Sequence, residues 1–263
     1  MTGRASSLWG PLLAPLLLAV ALPAAAQEIV RVPGDFATLQ QALDGQRNRG
    51  GIIELATGTY TAPNRGFRLR NPRFGLTIRS AAGAVVILEG EGTHTIFELE
   101  NSARENGQRV LFQDLVFRNG FSTEEGVGGA VSVVRGEASF LRCRFEDSRS
   151  EAPTTGGGGV LIFEGSDVVF LDSGFEGNSA QNRGGAVTVV ESTAEFHGST
   201  FLGNRTNLPG HADNAAGGAI YVLNSKVRVA TSHFEDNETG WVGGAIWAFG
   251  AWREPLEDPA TEV

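Results

Sequence analysis

Two short signals alternate down the second half of this chain, and together they restrict its fold more than any other feature. The first is Phe-x-x-Asn, at Phe175 to Asn178, Phe201 to Asn204 and Phe234 to Asn237, with Ser148 in place of Asn after Phe145. The second is a glycine pair followed by a small and then a branched residue. It occurs at Gly128-Gly129-Ala130-Val131, Gly157-Gly158-Gly159-Val160, Gly184-Gly185-Ala186-Val187, Gly217-Gly218-Ala219-Ile220 and Gly243-Gly244-Ala245-Ile246. From the first glycine to the next Phe of the first signal (128 to 145, 157 to 175, 184 to 201, 217 to 234) the intervals are 17, 18, 17 and 17 residues. The length variation therefore falls between Phe-x-x-Asn and Gly-Gly. Each repeat is a rigid piece plus one loop, and the longest loop covers residues 206–216.

Within the rigid piece apolar residues alternate, with Val187 and Val189 on one face, then Ala194 with Phe196, then Ser199 with Phe201. Such short strands cannot bury their faces alone, but stacked copies of one unit can. Three strands per coil and no helical segment predict an all-β chain, a parallel β-helix with rungs ~4.8 Å apart. Its hand is expected to be right, from the general preference of parallel crossovers. A propeller blade needs four antiparallel strands over a longer period and fits less well. Matching positions form columns: Phe112, Phe140, Phe170, Phe196 and Val229; Phe145, Phe175, Phe201 and Phe234; Leu115, Cys143, Ser173, Ser199 and Ser232. Asn178, Asn204 and Asn237 are expected to stack at one turn, each amide bonding the next. The glycine pairs are expected to supply tight turns at positive φ. A strand and not a helix follows them, so they are not a phosphate loop.

Residues 1–26 read as a secretory signal: Arg4, an apolar run over 11–22 and Ala24-Ala25-Ala26 before the cut. That run is shorter than the ~20 residues a spanning helix needs, and no later stretch looks transmembrane. The exported chain divides into a β-helix over 27–250 and an acidic, proline-containing tail over 251–263. The spacing predicts a strand at 29–32 and a helix over 36–43, capped by Asp35 and stopped by Gly45. Further strands are expected at 52–55, 76–78, 85–88 and 95–99, with a turn at 57–60. The tail, with Pro255, Pro259 and four carboxylates, is expected to blunt the open end, Trp252 folding over the last rung, and to leave a monomer. The only thiol is Cys143, so no intrachain disulfide is possible. Net charge is −9 and Lys226 is the sole lysine, which disfavours a nucleic-acid partner.

The pairing of Phe-x-x-Asn with Gly-Gly-Ala-(Ile/Leu/Val) resembles the repeat of the chlamydial polymorphic outer membrane proteins; FEGNSAQNRGGAV and FEDNETGWVGGAI are close to it. The opening VPGDFATLQQALDG, followed by IELATGTY, resembles the start of pectin-lyase-like β-helix proteins, where an amphipathic helix caps the first coil. Together the resemblances cover most of residues 30–250. They imply the fold, and on the chlamydial side surface adhesion. The C-terminal membrane barrel of that family is not expected, because the residues after the last repeat are too few to form one.

For chemistry the sequence offers less. The Asn-Thr-Asp and Gly-His-Gly motifs of polygalacturonases do not occur, and Gly210-His211-Ala212 is a poor shadow of the second. One His and one Asp in the long loop, His211 and Asp213, are too few for a metal site, and no cofactor is expected. Asp114, Arg142 and Asp172 fall in one outward column on successive coils. Two carboxylates two rungs apart would lie ~9.6 Å from each other, near the top of the ~6.5–9.5 Å that suits inverting glycoside hydrolysis; the competing reading is a charge ladder. Tyr221 and Trp247 share the column of Ser132, Leu161 and Thr188, expected to face outward, and are the candidate ligand-binding pair, by stacking on sugar rings. The leading expectation is an exported, non-catalytic β-helix that presents an adhesion or interaction surface, with polysaccharide or a cell-surface molecule as partner. The alternative is a polysaccharide-active lyase or glycoside hydrolase of the same fold.

Overall fold

The computed structural model describes residues 27–102, 108–206 and 215–250. The chain is a parallel β-helix. Its strands stack into three long parallel sheets: sheet A with eight strands, from Ile29–Val32 to Lys226–Ala230; sheet B with seven, from Gly58–Thr61 to His233–Glu235; and sheet C with seven, from Phe67–Arg70 to Ile246–Phe249. Each coil runs from A through B to C. A fourth ladder of two-residue strands (Phe121–Ser122, Arg149–Ser150, Ser179–Ala180, Arg205–Thr206), sheet D, follows the sheet B strands in four coils. Three strands per coil was the expectation. The extra ladder arises because the backbone stays in register for two residues past the corner before the variable loop departs.

The first coils differ from expectation in three places. Gly58–Thr61 is a strand, pairing with Val86–Glu89, where a turn was expected. Phe67–Arg70 is a strand that the sequence reading passed over, although Phe67 and Leu69 point inward and Arg68 and Arg70 outward. The helix spans Leu39–Gln46, three residues later than expected. Asp35 does not cap it, because its carboxylate accepts from Arg31 N at 2.8 Å and closes the preceding turn. Thr38 caps instead, its side chain accepting from Gln41 N. Gly45 lies inside the helix rather than ending it. A Cβ there would come within 2.8 Å of Phe36 Cζ, so the glycine makes room for the ring. Leu39, Ala42 and Leu43 are buried, and the Gln40 side chain bonds the backbone of Arg68 in both directions, at 2.8 and 3.0 Å. In that way the helix occupies the first edge of sheet C.

The core is two phenylalanine columns. Phe112, Phe140, Phe170 and Phe196 stack from sheet A with centroids 4.7–5.0 Å apart. Phe117, Phe145, Phe175, Phe201 and Phe234 stack from sheet B at 4.5–5.0 Å. The columns meet edge to face, a preferred aromatic geometry. Cys143 is buried in the small-residue column of Ser173, and burial pushes its thiol up to about 12, so it stays protonated and inert.

The asparagine ladder forms as expected. Asn178 Nδ2 donates to Asn204 Oδ1 at 3.0 Å and Asn204 Nδ2 to Asn237 Oδ1 at 2.9 Å, while the backbone N–H of each coil donates to the same oxygen of the next. The Asn204 amide also donates to Phe175 O. Replacing Asn204 by alanine removes the oxygen that accepts from two buried donors of Asn178, and is expected to cost about 2–3 kcal/mol in denaturant melts. A cost below about 1 kcal/mol would mean that water replaces the amide.

The glycine pairs meet the expectation of positive φ in part. At the first glycine φ is positive in three repeats: Gly184 (56°), Gly217 (67°) and Gly243 (69°). The second glycine is required by contact between coils, since a Cβ on Gly129, Gly158, Gly185 or Gly218 would overlap the carbonyl oxygen of the second glycine on the following coil.

Candidate functional site

Asp114, Arg142 and Asp172 form the expected solvent-facing column, but not on a strand. They sit at the corner between sheets A and B, in left-handed conformation, with φ of 56°, 51° and 48°. Gly198 and Thr231 continue the column at 61° and 50°. Arg142 grips Asp114 with two bonds, Nε to Oδ1 at 2.6 Å and Nη2 to Oδ2 at 2.9 Å. This pairing holds the Asp114 carboxyl below the usual range. Asp114 therefore contributes stability that is present above its unfolded pKa and lost as the pH falls through its lowered folded value. Asp172 feels Arg142 only through longer-range attraction. The arrangement is a closed ion pair on a corner.

Corner conformation has a cost that depends on residue type. Thr231 is β-branched and strained at φ 50°. Its hydroxyl accepts from Gly198 N at 3.2 Å. Asparagine tolerates this conformation and keeps an acceptor oxygen, so Thr231→Asn is expected to raise stability by about 1 kcal/mol. A lower melting midpoint for that variant would contradict the strain argument.

The chemically richest surface is the outward face of sheet C. One of its columns runs Arg68, Glu98, Ser132, Leu161, Thr188, Tyr221, Trp247, and the other Arg70, Glu100, Val134, Phe163, Val190, Leu223, Phe249. Toward the N-terminal end the face is charged. Arg68 pairs with Glu98 at 2.9 Å; Arg70 and Arg135 both pair with Glu100, and Arg135 also with Glu164. Glu98 lines a cleft with Arg65, His94 and Glu124. Burial pushes its carboxyl above the ordinary range, against the pull of Arg68.

Beyond the cleft the first column is covered rather than open. Ser132, Leu161, Thr188 and Tyr221 point away from the core yet are buried, and Gly156 and Arg183, from the connections between coils, lie against Thr188 and Tyr221. Ser132 accepts from Gly128 N, and Thr188 donates to Gly156 and Arg183 carbonyls. The Tyr221 ring has Arg183 over it from the preceding coil, 5.0 Å away, and Trp247 stacked at 4.9 Å from the following coil. Neither of its faces is free, and Tyr221 serves as the support on which Trp247 rests. Trp247 in turn stacks with Phe249 at 5.7 Å.

The second column stays accessible. Val134, Phe163 and Leu223 are part-exposed and Phe249 is 64% exposed, with Val190 buried between them. From Val134 to Phe249 this apolar rail crosses five rungs, about 19 Å. The sequence reading missed it by treating only one outward column per strand. The signal was present in the second residue of each pair, as Val134, Phe163, Val190, Leu223 and Phe249.

Among the described residues, no group of three or more His, Cys, Asp or Glu is placed to hold a metal ion. No helix among them is long and apolar enough to cross a membrane. The candidates His211, Asp213 and Trp252, and the signal over 1–26, lie outside the described residues. No family model matches this chain, no curated protein matches it, and no solved structure matches it.

Proposed function

We propose that this is an exported, non-catalytic β-helix protein whose working surface is the outward face of sheet C, and that it binds an extended glycan along the apolar rail. The observation that carries the reading is the rail itself. Five aligned apolar side chains ending in the Trp247–Phe249 pair give a linear, part-exposed track, and contiguous exposed apolar surface is a mark of interaction sites. The apolar C–H faces of pyranose rings lie against such side chains, while the charged cleft at the other end supplies Arg and Glu groups for hydroxyls. The resemblance to adhesive repeats and to pectin-lyase-like proteins points the same way, and the signal-like pattern of residues 1–26 supports export.

The test is affinity electrophoresis of residues 27–263 through gels containing neutral and acidic polysaccharides. Retardation by at least one of them, without release of reducing ends, is expected. Free migration through every gel would count against the reading.

Polysaccharide cleavage has one observation on its side, the raised carboxyl of Glu98 in its cleft. Turnover abolished by Glu98→Gln would favour that alternative.

A further inference from the structure

The two ends of sheet C are treated differently. At the first edge, Gln40 of the helix takes up backbone groups of Phe67–Arg70. At the last, Ile246–Phe249 is the final strand in the order among the described residues, with Ile246 41% and Phe249 64% exposed. A free parallel edge is a template for another strand, and folded proteins usually blunt it with charge. The last strand of sheet A carries Lys226 and Arg228, and that of sheet B carries His233 and Glu235, which contact each other at 3.2 Å. The last strand of sheet C, Ile-Trp-Ala-Phe, carries none, and residues 239–250 contain no charged side chain at all. Two of the chain's four tryptophans, Trp241 and Trp247, fall in that stretch, and Trp241 is 61% exposed.

We infer that this edge pairs with the same edge of a second copy, across a two-fold axis. The strand is complementary to itself in one register. Residues directly opposite in an antiparallel pair point to the same side. With Ala248 opposite Ala248 of the second copy, Trp247 lies opposite Phe249 of the second copy, twice, all on the outward face. The Tyr221–Trp247 stack then continues into the other molecule. Aromatic pairs of this kind are favoured across strands and at interfaces. Self-pairing of Lys226–Ala230 would instead bring Lys226 or Arg228 against Arg228 of the other copy, so charge repulsion directs the copies to the sheet C edge. The expected monomer gives way to this dimer because the edge that faces the partner is the one without charges. In the dimer the two rails lie on one continuous sheet. The inference does not depend on glycan binding, and its readout needs no ligand.

Sedimentation of residues 27–263 over a range of concentrations tests it. A dimer is expected. Phe249→Lys, at an exposed position, should weaken association at least tenfold while leaving the circular dichroism unchanged. Adding Trp247→Glu to that variant should restore the dimer, by placing opposite charges across the two-fold. A monomer at every concentration would overturn the inference and point to residues 251–263 as the cover of the edge. So would a dimer indifferent to Phe249→Lys, which would place the contact elsewhere.

Discussion

Replacing Phe201 by alanine is expected to destabilise the chain by about 3–5 kcal/mol in denaturant melts, the range for removing a large buried aromatic. The ring is fully buried. It stacks on Phe175 at 4.7 Å and on Phe234 at 4.5 Å, and meets Phe196 edge to face at 5.4 Å. Its loss removes partners from both columns, and neighbouring rings fixed by the sheet ladders cannot collapse into the gap. The ladders join each coil to the coils on either side of it, so a cavity at one interface also weakens the coupling between them. The variant is therefore expected to lose the last coils at lower denaturant than the rest, as a second transition. A cost below about 1 kcal/mol would show that the column is not the core.

The second large effect is expected at Gly185, where alanine should cost about 3 kcal/mol or more. Its φ is not in the left-handed region, so backbone strain is not the reason. The added Cβ would overlap the carbonyl oxygen of Gly218, and backbone atoms of Arg205 lie close by. These are backbone atoms held in ladders on both sides, so relief requires the coils to move apart. Gly244 supplies the control within the same column. Among the described residues no coil follows it, and the nearest atom to a Cβ there is Asn237 O at 3.6 Å. Gly244→Ala should cost less than about 1 kcal/mol. Equal costs at the two positions would mean that the glycines serve the turn and not the spacing of the coils.

The repeat made the fold legible because it states the same physical requirement several times. One Phe-x-x-Asn could be anything. Four at matched spacing, with Ser148 as the only substitute, specify a ladder in which each amide bonds the next. Single-copy features were harder to read. Asp35 looked like a helix cap, but its carboxylate was already used by Arg31, a contact that spacing does not reveal. Phe67–Arg70 lies before the repeat becomes regular, and only its pairing to Phe97–Glu100 makes it a strand. The candidate site was half legible. The columns were found, but alternation says which side of a strand a residue takes, not whether a loop then covers it. Tyr221 therefore looked open and is sandwiched, while the parallel column through Phe163 and Leu223 went unremarked. The corner conformation of Asp114, Arg142 and Asp172 was missed too, although Gly198 in the same column and the tolerance of aspartate for this conformation were signals of it.

The measurement closest to the central claim is a calorimetric titration of residues 27–263 with a polysaccharide that retards it, repeated with Phe163→Asp and with Asp172→Asn. Phe163 stands mid-rail on the outward face of sheet C, and Asp172 on the corner away from it. The account predicts at least tenfold weaker binding for Phe163→Asp, about 1.4 kcal/mol, and an unchanged affinity for Asp172→Asn. Undiminished binding by Phe163→Asp, or a loss confined to Asp172→Asn, would contradict it and move the working surface off sheet C.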